Sequence, residues 1–151
     1  MINRVQGRRR KSRVEAGSAF IELALFFPVL LLLLLGAIDF SRLYYASITL
    51  INSAEVGAIY GSQSVAKTSD TSGMTNAATT DGQDLSGVTA TAQQYCKCGN
   101  GSAQACSITC VGSTKQYYVS VQTAYTFTPL FPYPGIPSSV AMTRTAVMRA
   151  Q

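Results

Sequence analysis

Residues 17–38 read Gly-Ser-Ala-Phe-Ile-Glu-Leu-Ala-Leu-Phe-Phe-Pro-Val-Leu-Leu-Leu-Leu-Leu-Leu-Gly-Ala-Ile, and this stretch decides the fold. From Phe20 to Ile38 one side chain is charged, Glu22, and one residue is a proline, Pro28. As a helix the segment spans roughly 28 Å, close to the hydrocarbon thickness of a bilayer. The run from Val29 to Leu35 has no polar face, so it does not read as the core helix of a small soluble protein. The expected span is therefore about residues 20–38.

Charge sets the direction of that span. Arg4, Arg8, Arg9, Arg10, Lys11 and Arg13 precede it, and only Arg42 follows closely. Cytoplasmic flanks of membrane helices carry the excess of Lys and Arg, which puts the N-terminus in the cytoplasm and residues 39–151 outside. Those six cations, set against Glu15, account for the whole formal charge of +5, because the other 134 residues balance. The basicity belongs to the leader, and no nucleic-acid partner is expected. The four cysteines agree with the orientation. Cys96, Cys98, Cys106 and Cys110 cluster where disulfides persist, outside the cytoplasm.

Beyond the span, Ile38 to Tyr60 holds no proline. Phe40, Tyr44, Ser47, Ile48, Ile51, Ala54, Ala58 and Ile59 recur at three- and four-residue spacing, which predicts an amphipathic continuation of the same helix ending near Gly61. Ala54/Ala58 and Gly57/Gly61 are small residues four apart. Packing against the chain's own sheet is the expected use, ahead of close approach by another helix. Residues 63–87 form a polar linker with one short helix, predicted at Ser72–Asp84, its Met74, Ala77, Ala78 and Leu85 facing inward. Residues 88–151 change period. Tyr117, Val119, Val121, Thr123, Tyr125 and Phe127 alternate with mostly polar neighbours, as do Val140, Met142, Ala146 and Met148 around Arg144. Val88–Tyr95 is a weaker strand, and four prolines within Pro129–Pro137 make a loop. The expected fold is α+β: a long N-terminal transmembrane and amphipathic helix packed on a small antiparallel sheet, with a disulfide-bonded hairpin.

Several chemistries are excluded or disfavoured. With no histidine anywhere, Ser-His-Asp and Cys-His catalysis and histidine metal sites are impossible. Asp70, Asp81 and Asp84 sit in the linker with no partner motif, and there is no phosphate loop or dinucleotide fingerprint. The chain is not expected to be an enzyme or to need a cofactor. Four cysteines match a thiolate zinc site in number, but zinc arms use Cys-x2-4-Cys spacing rather than Cys-x-Cys. Two disulfides are expected and no metal. Of three possible pairings, the turn signal at Gly99-Asn-Gly101 favours the nested one, Cys98 with Cys106 and Cys96 with Cys110.

Gly17, four intervening residues and Glu22, set between a basic leader and an apolar helix, resemble the processing site of class IV prepilins. Further along, Glu22-Leu-Ala-Leu-Phe-Phe-Pro28, Gly36-Ala-Ile-Asp-Phe-Ser-Arg-Leu-Tyr-Tyr-Ala46 and Asn52-Ser-Ala-Glu-Val-Gly-Ala-Ile-Tyr-Gly61 are similar to the N-terminal signature of TadE-like proteins. Tyr95-Cys-Lys-Cys-Gly-Asn-Gly, Phe131-Pro-Tyr-Pro and the ending Ala146-Val-Met-Arg149 fit as well. The resemblance implies a pilin-like fold and a minor pseudopilin of the tight-adherence (Tad/Flp) pilus, serving adhesion or biofilm formation. It implies cleavage of the leader, residues 1–17, between Gly17 and Ser18 by a prepilin peptidase. Residues 18–62 then form the mature N-terminal helix. Gly17 is expected to offer that peptidase an unhindered, extended backbone. The implied partners are other pilins and pseudopilins, the inner-membrane assembly platform and the lipid bilayer. Glu22 becomes the carboxylate that meets the Ser18 amine of an adjacent subunit, because an unpaired charge within a bilayer is costly. Pro28, unable to donate to the Ala24 carbonyl, is expected to kink or loosen the helix. The alternative is an exported, membrane-anchored or secreted surface-binding protein whose apolar run is a cleavable signal. Leu35-Gly-Ala37 is a poor signal-peptidase site, since the third residue before the cut is large.

Overall fold

A computed structural model describes the backbone of residues 12–151, and side chains at Gly17 and from residue 19 onward. The predicted leader cations from Arg4 to Lys11 lie outside the described residues, and so does the Ser18 side chain. The chain divides after Phe40 into two compact units.

Helix α1 (Ser12–Ser62) contributes to both units. In the first unit its side chains from Phe20 to Leu34 are exposed, as an apolar helix is when its solvent is lipid. It is long and apolar enough to cross a membrane, and among the described residues it is the one helix that is. Pro28 lies inside α1 without ending it. Neighbouring hydrogen bonds hold the helix on either side of the one that proline removes. Asp39 is buried although it closes an apolar segment.

The second unit is an α+β layer. After α1 come a short 3-10 turn (Val65–Ser69) and helix α2 (Thr71–Asp81). Strands β1 (Thr89–Cys98), β2 (Lys115–Phe127) and β3 (Val140–Arg149) then form an antiparallel sheet in the order β1-β2-β3. β2 is central, pairing Tyr118 with Tyr95 on one side and Arg149 on the other. The period-two pattern of β2 sends Val119, Val121, Thr123 and Phe127 to the buried face. There Ala58, Met74, Ala78, Val119 and Val121 make one core cluster, and Ala46, Leu50, Phe127 and Met142 a second. Buried Thr123 donates from Oγ1 to the Leu50 carbonyl at 2.8 Å, and half-buried Arg144 donates from Nη2 to Ser47 Oγ at 2.7 Å.

Two local expectations need correction. The linker helix is shorter than Ser72–Asp84 and is preceded by the 3-10 turn. Asp70 caps α2, its Oδ1 accepting from Gly73 N at 2.8 Å, and this fixes the start at Thr71. Met74 and Ala78 face inward as expected, while Ala77 and Leu85 are only half-buried. The apolar stripe on α1 is divided: its Ala54 and Ala58 are buried, in line with the expected packing of the small residues, and its large members are not. The helix buries Ala46, Leu50, Ser53, Ala54, Gly57, Ala58 and Gly61. The predicted members Phe40, Tyr44, Ile48, Ile51 and Ile59 are 70, 63, 42, 40 and 50% exposed. Close approach to α2 and the sheet is the reason. A Cβ added to Gly57 would stand 2.9 Å from the Met74 carbonyl oxygen and 3.0 Å from Val121. The inward face therefore takes small residues, and the large apolar ones turn outward.

Candidate assembly face and disulfide-bonded loop

The sequence-predicted processing and assembly residues all fall on α1. Gly17 is helical rather than extended, and a Cβ placed there would meet nothing within 4 Å. Extending the chain at this point means unwinding one turn, which glycine eases by about 1 kcal/mol relative to alanine. Five residues on, Glu22 is exposed among Phe20, Ile21, Leu23 and Leu25, all exposed too. In hydrocarbon a carboxylate is costly unless it is paired.

Within the second unit, Tyr44, Ile48, Ile51, Glu55 and Ile59 follow one another at four- and three-residue steps on the outward side of α1. Sequence periodicity placed these apolar residues in one stripe with Ala54 and Ala58, and the structure separates the large members from the small ones. Small-residue spacing at Ala54, Gly57, Ala58 and Gly61 was the signal for the true inward face. The stripe is apolar except for Glu55, and its residues project from a rigid helix anchored by the core behind it.

Cys96 is bonded to Cys106 and Cys98 to Cys110. The nested pairing expected from the turn is thus incorrect. The turn itself is present, with Gly99 at φ +57° and Gly101 N donating to the Cys98 carbonyl at 3.0 Å. The returning chain pairs antiparallel to β1 at a single bridge, Cys96 with Gln104. It then reverses, Ile108 N donating to the Ala105 carbonyl at 3.2 Å. Cys106 therefore stops beside Cys96, and Cys110 travels back to Cys98. The Cys96–Gln104 register already disfavours a nested pairing, since the chain has passed Cys98 before it reaches Cys106. Beside the loop, Tyr95 and Tyr118 stack with ring centroids 5.3 Å apart, and Lys97 Nζ lies 5.3 Å from the Tyr118 centroid.

One titratable pair joins α1 to the α2 cap. Tyr60 Oη donates to Asp70 Oδ2 at 2.8 Å, and Lys67 Nζ sits 4.5 Å from the Tyr60 ring centroid. The Gly73 N–H, then the Tyr60 hydroxyl, hold the Asp70 carboxyl below its ordinary value. The same hydrogen bond and the Asp70 charge raise the Tyr60 phenol. Asp70 was read from the sequence only as a linker acid; the Asp-x-x-Gly pattern ahead of a helix was the available sign.

Residues 17–58 match the family model described as TadE-like protein, so this N-terminal segment is TadE-like. The match runs from Gly17 through Glu22 and Pro28 to Ala58 and stops before α2 and the sheet. No curated protein and no solved structure matches the chain.

Proposed function

We propose, from the premise that residues 17–58 are TadE-like, that this chain is a minor pseudopilin taking part in assembly of a type IVc (Tad/Flp) pilus. Its contribution is structural rather than catalytic, in a machine serving adhesion and surface colonisation. A prepilin peptidase removes the basic leader between Gly17 and Ser18 on the cytoplasmic face of the inner membrane. The second unit, with its disulfides, then lies outside the cytoplasm. The observation that carries the reading is the coincidence of three features at one place. The TadE-like match begins at Gly17, Glu22 stands five residues later, and both open an exposed apolar helix.

The physics of assembly follows from that helix. Apolar helices in lipid attract one another without fixing their axial register. A carboxylate at Glu22 and a new amine at Ser18 supply the register, each meeting its counterpart only in a neighbouring pilin or pseudopilin. The outward stripe from Tyr44 to Ile59 supports the same reading, because it offers large apolar side chains to neighbours once the subunit leaves the platform.

Glu22→Ala, as the sole copy, tests this. Insertion, cleavage to a Ser18 N-terminus and disulfide formation should persist, and pili counted by microscopy should be lost. Breaking a desolvated charge pair from one side costs about 3–5 kcal/mol, enough to deplete an assembly intermediate. Normal piliation, or a mature N-terminus at Ile38 instead of Ser18, would sink the proposal. The latter result would favour an exported surface protein.

A further inference from the structure

The second unit carries a cleft of about 370 Å³ near its first residues. Ser41, Arg42 and Tyr45 line it from α1, Asp84 and Ser86 from the connection after α2, and Phe127 from the end of β2. The Arg42 guanidinium carbon lies 5.4 Å from the Phe127 ring centroid, an aromatic face that orients the planar cation. Tyr45 Oη donates to Asp84 Oδ2 at 3.4 Å, holding the carboxylate at the cleft. The lining therefore combines a fixed cation, a fixed carboxylate and several hydroxyls over an aromatic floor. Its volume is in the range of small-molecule sites, about 300–1,000 Å³.

We propose that this cleft binds the phosphoethanolamine headgroup of a membrane phospholipid, the phosphate on Arg42 and the primary ammonium on Asp84. Charge complementarity selects the ligand. A bare phosphate ester would use Arg42 and be repelled by Asp84. A choline group has no N–H to donate to the carboxylate, and a glycerol headgroup has no cation to meet it. Arg42 need not be free of other partners, since a guanidinium has five N–H donors.

Position selects a lipid as the source and rests on the reading of residues 20–38 as the span. Arg42 and Tyr45 follow Ile38 by four and seven residues in a continuous helix, about 6 and 10 Å along its axis. Arg42 thus falls within a headgroup layer of about 5–7.5 Å, given roughly 30 Å of hydrocarbon within 40–45 Å of bilayer, and Tyr45 falls just beyond its outer edge. Exposed Phe40, Tyr44 and Tyr45 follow the span directly in the sequence, as interfacial aromatics do.

The test uses the full chain purified in detergent and offered equimolar phosphatidylethanolamine, phosphatidylcholine and phosphatidylglycerol, with retained lipid counted by native mass spectrometry. Phosphatidylethanolamine should be retained in excess. Arg42→Gln should lower its retention roughly tenfold, with Arg42→Lys intermediate, as expected for a hydrogen bond to a charged group. Asp84→Asn should erase the preference over phosphatidylcholine while leaving phospholipid bound. Soluble glycerophosphoethanolamine at the same concentration should compete weakly. Equal competition would reassign the site to free phosphate esters and overturn the lipid source. Both positions are exposed, so the variants should keep the wild-type fold, checked by circular dichroism and disulfide mapping. Equal retention of all three lipids, or variants that retain lipid like wild type, would overturn the proposal. Flotation with vesicles separates the two readings: a chain that floats without lipid preference refutes the cleft alone, and one that does not float refutes the span as well.

Discussion

At the scale of single residues, the structure gives a role to two side chains the sequence left without one. Asp70 caps α2 and accepts the Tyr60 hydroxyl, which ties the helix start to the end of α1. Its folded carboxyl titrates below the ordinary 3.8, so the stability it contributes is present above that value and lost as pH falls through its lowered one. Tyr60 runs the other way: its raised phenol contributes below 10.0 and ceases to as pH rises beyond it. Asp70→Asn keeps an acceptor for Gly73 N–H but removes the charge. Thermal unfolding of the purified protein should show wild type losing stability more steeply than the variant as pH falls below 3.8. Parallel acid limbs would mean the cap acts through its hydrogen bond alone.

Among the elements, α1 is where sequence periodicity and structure part company. A three-four spacing identifies an apolar face but does not say what presses on it. The second unit presses closely, so its contact residues are Ala54, Gly57, Ala58 and Gly61, and the bulky apolar side chains take the other side. Gly57→Ala tests this directly. Alanine favours a helix over glycine by about 1 kcal/mol, yet here its Cβ meets the Met74 carbonyl at 2.9 Å and Ala78 Cβ at 3.0 Å. Overpacking of that kind costs roughly 1–3 kcal/mol. Net destabilisation by chemical unfolding in detergent is the expected outcome, and a stabilised variant would show that α2 yields. Alanine at the open Gly17 should cause no such loss.

For the whole molecule, the small core makes the disulfides matter. Their loops close 10 and 12 residues, each worth about 2–3 kcal/mol by restriction of the unfolded chain. Peptide mapping under non-reducing conditions should recover Cys96 with Cys106 and Cys98 with Cys110, and alkylation should find no free thiol. Paired Cys98→Ser and Cys110→Ser replacement should lower stability by about that amount while leaving the sheet intact. Recovery of the Cys98–Cys106 peptide would restore the nested arrangement.

The sequence by itself determined the parts whose physics is local. A lipid-length apolar run needs no partner to be read, since its solvent dictates its composition, and strict alternation in Tyr117–Phe127 admits one face of a strand. Gly17 and Glu22 were singled out because their spacing beside a basic leader is itself a signal, and the roles proposed for them rest on it. Tertiary structure decided what depends on a second element. Why the large members of the α1 stripe turn outward follows from how closely α2 and the sheet approach its small-residue face. Which cysteines bond follows from a reversal at Ala105–Ile108 that leaves only a weak trace in composition. The cleft of Arg42 and Asp84 joins residues 42 positions apart, and no spacing along a chain records such a meeting.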